Sequence, residues 1–258
     1  MSKDQSKSPS GTQAIDRAFE VLSSFVDHPV QGITDIAERT DLKLSTAHRI
    51  VRALVAGGYL EQRQSTDRYS FGHAALVLGQ SAREALGFDL AMPILEQLGG
   101  ETGESINMGV RDGGEVVVVL RVESVQPLRF DQPAGSRISL HCSSMGKSLL
   151  AFGDDNLDNI ALTKITPATI AKKSALTKEL NEIRKRGFSF DFEESIPGVS
   201  CVGAPILDAD GKAVAAIAVQ APTVRMTHER QVAIGRRLTQ ATTEISSALR
   251  LTANEALS

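Results

Sequence analysis

Between Ile33 and Leu60 the chain carries Lys43, Ser45, Thr46, His48, Arg49 and Arg52, and from Leu42 to Leu60 it holds no Asp or Glu. Cations and hydroxyls without neighbouring carboxylates suit phosphate neutralisation and hydrogen bonding to base edges. Leu44, Ala47, Ile50, Val51 and Leu54 recur every three or four residues, so they predict one apolar helical stripe with the polar groups projecting elsewhere. Ser45 is the expected N-cap. The whole stretch reads as two short amphipathic helices joined by a tight turn and followed by a strand. Tyr59–Gln62 and Tyr69–Phe71 are then expected to pair across the polar turn 63–68, which puts Arg63 and Arg68 at its tip. Solvated arginines on a surface helix explain the helix alone equally well. The basic-tipped hairpin behind it favours a winged helix-turn-helix with double-stranded DNA as partner. Upstream, Ile15, Ala18, Phe19, Leu22 and Phe25 form the stripe of a third helix that closes a small core.

The second half holds a different set of reactive groups. His141 to Ser148 ends in Gly-Lys-Ser, but a phosphate loop needs Gly where His141 stands and a strand-to-helix crossover around it, so nucleotide hydrolysis is set aside. If Ser143 and Ser144 open a helix, their backbone N–H groups and the positive helix end suit a carboxylate. Asp191 alternates with the aromatics of Phe188–Phe192 as a surface strand residue does. Cys201 lies in the apolar stretch Val199–Pro205 and serves equally as a small core residue or a ligand contact. His141, Cys142, Cys201 and His228 lack the spacing of a zinc site, and no cofactor is expected. His141 and Cys142, adjacent on an expected strand, would face opposite sides and build no nucleophile–base pair, so no enzyme activity is expected.

The elements that must position these groups follow from the chain's organisation. Its 258 residues suit two domains, and 41% hydrophobic content supports a core in each. A net charge of −3 argues against a general nucleic-acid coat and confines DNA affinity to a local patch. No apolar run reaches the roughly 18 residues of a membrane span, and the polar start lacks a signal-peptide core, so a cytoplasmic protein with two free cysteines is expected. Residues 1–10 read as a disordered tail, 11–72 as the winged domain, 73–87 as a linker helix and 88–258 as a second domain. Within that domain strands are expected at Ile106–Val110, Glu115–Val122, Cys201–Leu207 and Lys212–Gln220, with turns at 111–114 and 208–211. Helices are expected at Asp89–Leu98, Ser143–Phe152, Thr177–Arg186 and Thr227–Leu251. The second domain is therefore an antiparallel sheet with helices, and the chain is α+β.

With both halves placed, the chain resembles the IclR family of bacterial transcription regulators from about Gly11 to Leu249. The resemblance rests on STAHRIVRALVAGGYL, LHCSSMGKSLLAF and the long block from Ile165 to Val219, in that order. It implies a winged helix-turn-helix, a linker helix, a GAF-like effector domain, and a homodimer or dimer of dimers on palindromic operators. It departs at the inter-helix turn, where Asp41 stands in place of the usual Gly and is expected to tolerate left-handed geometry at small cost. In acid-binding relatives the ligand lies among residues matching Phe130, Ser144, Met145, Asp191 and Cys201, and two hydroxyl residues of the last strand correspond to Ala218 and Gln220. The alternative is a GAF-like sensor or enzyme without DNA binding. Loss of those hydroxyls predicts an effector other than glyoxylate or pyruvate, a larger or aromatic acid. A thermal-shift panel in which only those two small acids stabilise the protein would contradict this.

Overall fold

The computed structural model describes residues 12–63 and 65–255, in two compact units that divide at Leu86/Gly87. The expected tail at 1–10 and residue Gln64 of the hairpin tip lie outside the described residues. The first unit contains helices α1 (Gln13–Asp27), α2 (Ile33–Arg39) and α3 (Leu44–Ala56), then α4 (His73–Ala85). Its strands β1 (Gln31–Gly32), β2 (Leu60–Gln62) and β3 (Arg68–Phe71) form a sheet in the order β1-β3-β2, so the expected hairpin gains a third strand too short to carry a period. Val21, Phe25, Ile36, Ala47, Ile50, Val51, Leu54 and Leu60 make the core. Asp41 adopts φ 50°, the left-handed turn expected between α2 and α3.

Three assignments in this unit need correction. Ser45 does not cap α3: Lys43 occupies the cap with extended backbone and no side-chain bond, and Ser45 lies inside the first turn. Leu44, expected in the buried stripe, is 53% exposed because the helix opens at that residue, beyond the core. Ile15 and Phe19 are likewise exposed. The buried arc of α1 centres on Val21 and Phe25, and at about 100° per residue Ile15 and Phe19 lie about 120° and 160° round from Val21.

The second unit is built on a six-stranded antiparallel sheet in the order β6-β5-β4-β9-β8-β7. Its strands are β4 (Ser105–Asp112), β5 (Glu115–Val122), β6 (Arg137–Ser139), β7 (Ser189–Phe192), β8 (Val199–Leu207) and β9 (Ala213–Pro222). The first turn is tighter than expected, Gly113-Gly114 alone, since β4 runs on through Asp112. At the second, Asp208 Oδ1 accepts from Asp210 N and Lys212 N while Gly211 takes φ 80°. Helices α5 (Phe88–Thr102) and α8 (His228–Glu255) cover one face, where Leu95, Leu98, Leu238 and Ile245 pack on Ile106, Val202, Ile217 and Val219. Helices α6 (Ser144–Ala151) and α7 (Lys173–Arg186) cover part of the other, burying Leu149, Leu150, Leu176 and Leu180 against Val116, Val118, Ala216 and Ala218. Strands β8 and β9 are thus buried on both sides.

One charged cluster ties the ends of these elements together. Glu104, 2% exposed between α5 and β4, accepts from Arg225 Nε at 2.8 Å and Nη2 at 2.6 Å, and from Arg230 Nη1 at 3.1 Å. Arg230 also donates to the carbonyls of Thr102 and Arg225, so the entry to β4 is locked to the start of α8. Replacing Glu104 with Ala strands both guanidinium groups against carbonyls and each other. A loss of about 2–4 kcal/mol is expected in urea unfolding, below the full buried-pair cost because both arginines keep some solvent.

Candidate nucleic-acid interface and small-molecule cleft

In the first unit the expected DNA-facing residues share one property, access to solvent beside a buried stripe. Lys43, Ser45, His48, Arg49 and Arg52 are exposed along α3 and Thr46 is half-buried, while Ala47, Ile50, Val51 and Leu54 point into the core. The helix therefore presents cations and hydroxyls on its outer side, fixed in place by its inner side. Arg63 is exposed at the hairpin. Arg68 is exposed too but folds back toward α2, with Nη1 3.8 Å from Asp35 Oδ2 and 3.4 Å from the Val30 carbonyl. Asp35 in turn accepts from Gly32 N at 3.0 Å, so Arg68 braces the base of the hairpin as well as offering charge.

In the second unit strand register assembles a polar row that no single segment reveals. Asp191 pairs with Cys201, Cys201 with Gln220, and Gln220 with Ser105, so these four side chains line up across β7, β8, β9 and β4 on one face of the sheet. The next row is Ser189, Gly203, Ala218 and Asn107. There the first turn of α6 lies directly on the strands: a Cβ on Gly203 would sit 2.8 Å from the Ser144 carbonyl carbon and 3.1 Å from Met145 N. Ser189 Oγ donates to the Ser144 carbonyl at 2.6 Å and holds the helix down. The helix covers the second row and stops at the first.

The edge between those rows is a cleft of about 290 Å3, its open mouth included. Of the residues the resemblance places around a ligand, Phe130, Ser144, Met145, Asp191, Cys201 and Gln220 line it. Ala218 does not: it shares a face with Gln220, but two residues along β9 it passes beneath α6 into the core with Met145 and Leu149. Sequence reasoning missed Gln132, Ile138, Ser195, Ile196 and Val199, which with Ser143 complete the walls. Ser143 had a signal as the cap of α6, accepting from Gly146 N at 3.1 Å. The N–H groups of a helix's first turn have no intrahelical acceptor, and Ser144 and Met145, which open α6, line the cleft.

The electrostatics beneath the cleft were equally hidden. Asp191, which alternation alone reads as a surface position and the resemblance as a pocket residue, is fully buried, closed over by the residues that follow β7. Its oxygens accept from Glu194 N at 2.7 Å and Ser195 Oγ at 2.5 Å, and burial holds its carboxyl above the ordinary range against the pull of Ser195. Lys147, the lysine of the Gly-Lys-Ser run, is 1% exposed and forms an ion pair with Glu194. Burial pushes Glu194 up to about 7 despite that partner. Burial likewise drives the Cys201 thiol well above its usual value and Cys142 to about 12, so neither is a ready nucleophile. His141 and Cys142 lie in the turn before α6 rather than on a strand, and His141 Nε2 donates to the Thr163 carbonyl at 2.9 Å. Among the described residues no three of His, Cys, Asp and Glu come together as a metal site, and no helix is long and apolar enough to cross a membrane.

A winged unit with a basic outer helix, joined to a layered sheet unit with a small polar cleft, is the build of a DNA-binding transcription regulator. The chain belongs to the IclR family: residues 14–64 match the IclR helix-turn-helix domain and residues 88–247 the bacterial transcriptional regulator IclR C-terminal domain. It is 34% identical over 242 residues to the HTH-type transcriptional regulator BhcR of Paracoccus denitrificans, covering 92% of this chain and 87% of that one. It is 31% identical over 253 residues to the HTH-type transcriptional repressor AllR of Escherichia coli, covering 95% and 93%. An IclR homologue from Microbacterium hydrocarbonoxydans, solved in complex with 4-hydroxybenzoate, superposes with a TM-score of 0.79 at 25% identity over 93% of this chain and all of that one. The chain is a transcriptional regulator, not an enzyme, as the names of its relatives state of them.

The raised Glu194 carboxyl has a measurable consequence for stability. The folded state holds that proton more tightly than the unfolded chain, where the group titrates near its ordinary 4.5, so stability falls as pH rises from about 4.5 to about 7. Melting temperature followed across that window should decline in the native protein, and Glu194→Gln should remove this part of the slope. An identical slope in the variant would show that Glu194 titrates normally.

Proposed function

We propose that the chain is a ligand-responsive regulator in which residues 11–72 bind operator DNA, 73–87 link, and 88–258 bind a small organic or aromatic acid. The helix α3 enters the major groove, Ser45, Thr46, His48 and Arg49 meet base edges or the nearest phosphates, and Lys43 and Arg52 add charge. Arg63 and Arg68 grip flanking backbone. The observation that carries this reading is the division of α3 into a fully packed inner stripe and an outer side that is basic and solvent-exposed.

Recognition by a homodimer, or a dimer of dimers, on a palindrome is supported by apolar surface left open on the first unit: Leu76, Val77 and Leu78 of α4, and Ile15 and Phe19 of α1, are all more than half exposed. The acid is supported by Ser144 and Met145, the first residues of α6, lining the cleft at a positive helix end, and by a 4-hydroxybenzoate complex in a relative of the same fold. Acid binding shifts operator affinity only by favouring one arrangement of the dimer, with α4 as the lever.

Fluorescence anisotropy with labelled DNA from immediately upstream of the gene tests the DNA half. Joint replacement of Arg49 and Arg52 by Ala should weaken binding at least tenfold with unchanged melting, since each good base contact is worth about 1–3 kcal/mol. Arg63→Ala should weaken binding to all sequences alike and lower the salt slope by about one. Unaltered affinity in the double variant would remove α3 as the reading helix, and no binding by the folded native protein at low salt would turn the assignment to a sensor that acts without DNA.

A further inference from the structure

Within the cleft one side chain is committed on one side and open on the other. Gln220 is 4% exposed, and its Nε2 donates to Gln132 Oε1 at 2.8 Å. Gln132 Oε1 also accepts from Asn107 Nδ2 at 3.2 Å, so a single carbonyl oxygen gathers two amide donors. The Gln220 amide is thereby fixed in orientation, and its Oε1 has no hydrogen-bond partner among the described residues. A buried carbonyl oxygen left unpaired costs about 1–3 kcal/mol, so a native structure that keeps one beside a cleft is poised to satisfy it on binding.

The residues that set this orientation are themselves held. Gln132 belongs to the connection 123–136 between β5 and β6, which the structure fastens to the sheet at several points. Ser105 Oγ donates to the Phe130 carbonyl at 3.0 Å, Ser124 N donates to Ser105 Oγ at 3.3 Å, and Asp131 pairs with Arg121. Asn107 stands on β4, in the row next to Gln220. The clamp therefore rests on two adjacent strands and a pinned connection. An amide anchored this way cannot turn its N–H group toward a ligand without breaking the bond to Gln132.

The geometry points to Gln220 as a specificity-determining residue that accepts a hydrogen bond from the effector, so that the acid carries a hydroxyl or N–H donor in addition to its carboxylate. This rests on the acid-binding reading above and adds which acids are accepted. Hydroxy acids and amino- or amide-bearing acids qualify; acids whose second polar group is only an acceptor, such as an ether or a ketone, meet a like dipole at Oε1 and leave it unpaired. A site built around such a partner discriminates against analogues that lack it far more strongly than an apolar pocket discriminates by size.

Calorimetric titration of the full chain with two matched series tests this: 4-hydroxybenzoate, 4-methoxybenzoate and benzoate, and 4-hydroxybutyrate, 4-methoxybutyrate and butyrate. In at least one series the hydroxy member should bind at least tenfold tighter than both companions. Gln220→Met, close in volume and without the amide, should abolish that preference while retaining the melting transition, and Gln132→Met, which frees the Gln220 amide to turn, should reduce it. Binding without preference for the hydroxy member, preference for a methoxy member, or a preference that survives Gln220→Met overturns the proposal and leaves the acid site standing. No binding by any of the six acids overturns the acid site and the proposal with it.

Discussion

The second unit depends on one close approach, the first turn of α6 laid on the sheet at Gly203. Only a residue without a Cβ lets the Ser144 carbonyl and the Met145 N–H come so near the strand, and Ser189 secures the contact from β7. That placement decides which rows of the sheet become core and which stay open. Beneath the helix, Ala218 packs into the apolar layer. One row further, Asp191, Cys201 and Gln220 face a cleft whose wall is the buried first turn of the same helix. A few ångströms of helix position thus separate hydrophobic core from binding surface.

The polar groups around that cleft carry a cost that packing alone does not explain. Two carboxyls and one ammonium lie together in Asp191, Glu194 and Lys147, each nearly or fully removed from water. The hydrogen bonds from Ser195 and from the Glu194 N–H partly compensate Asp191, and Lys147 partly compensates Glu194, whose Oε2 still lacks a partner among the described residues. Such clusters are weak contributors to stability and strong determinants of local charge. Here only Asp191 brings the cluster to the cleft, two strands away from Gln220 in the same row. The cleft is therefore lined both by the first turn of a helix and by a glutamine whose carbonyl oxygen is unpaired among the described residues.

Much of the first unit was legible in the sequence because its signals are local. A helical period, a run without acids, and a basic turn between two short strands fall within forty residues, and the structure places α3, β2 and β3 accordingly. The errors there came from ends and arcs: Ser45 stands two residues past the cap, and α1 buries Val21 in preference to Phe19. In the second unit the strands were legible but their partners were not. The row Asp191–Cys201–Gln220–Ser105 joins segments far apart in the chain, and pairing order is not written in any one of them. Asp191 looked like a surface residue because alternation reports only that two faces differ, not what covers them. Lys147 and Glu194 stand 47 positions apart, and Gln132 sits in a connection with no period at all.

The central claim is that an acid binds where α6 ends above this row. The most direct measurement is the amide spectrum of the 15N-labelled full chain, titrated with whichever acid raises its melting temperature most. The account predicts that the largest shifts fall on the backbone amides of Ser144, Met145 and Cys201 and on the Gln220 side-chain amide. Saturable shifts centred elsewhere in the second unit, with these four groups unmoved, would contradict it.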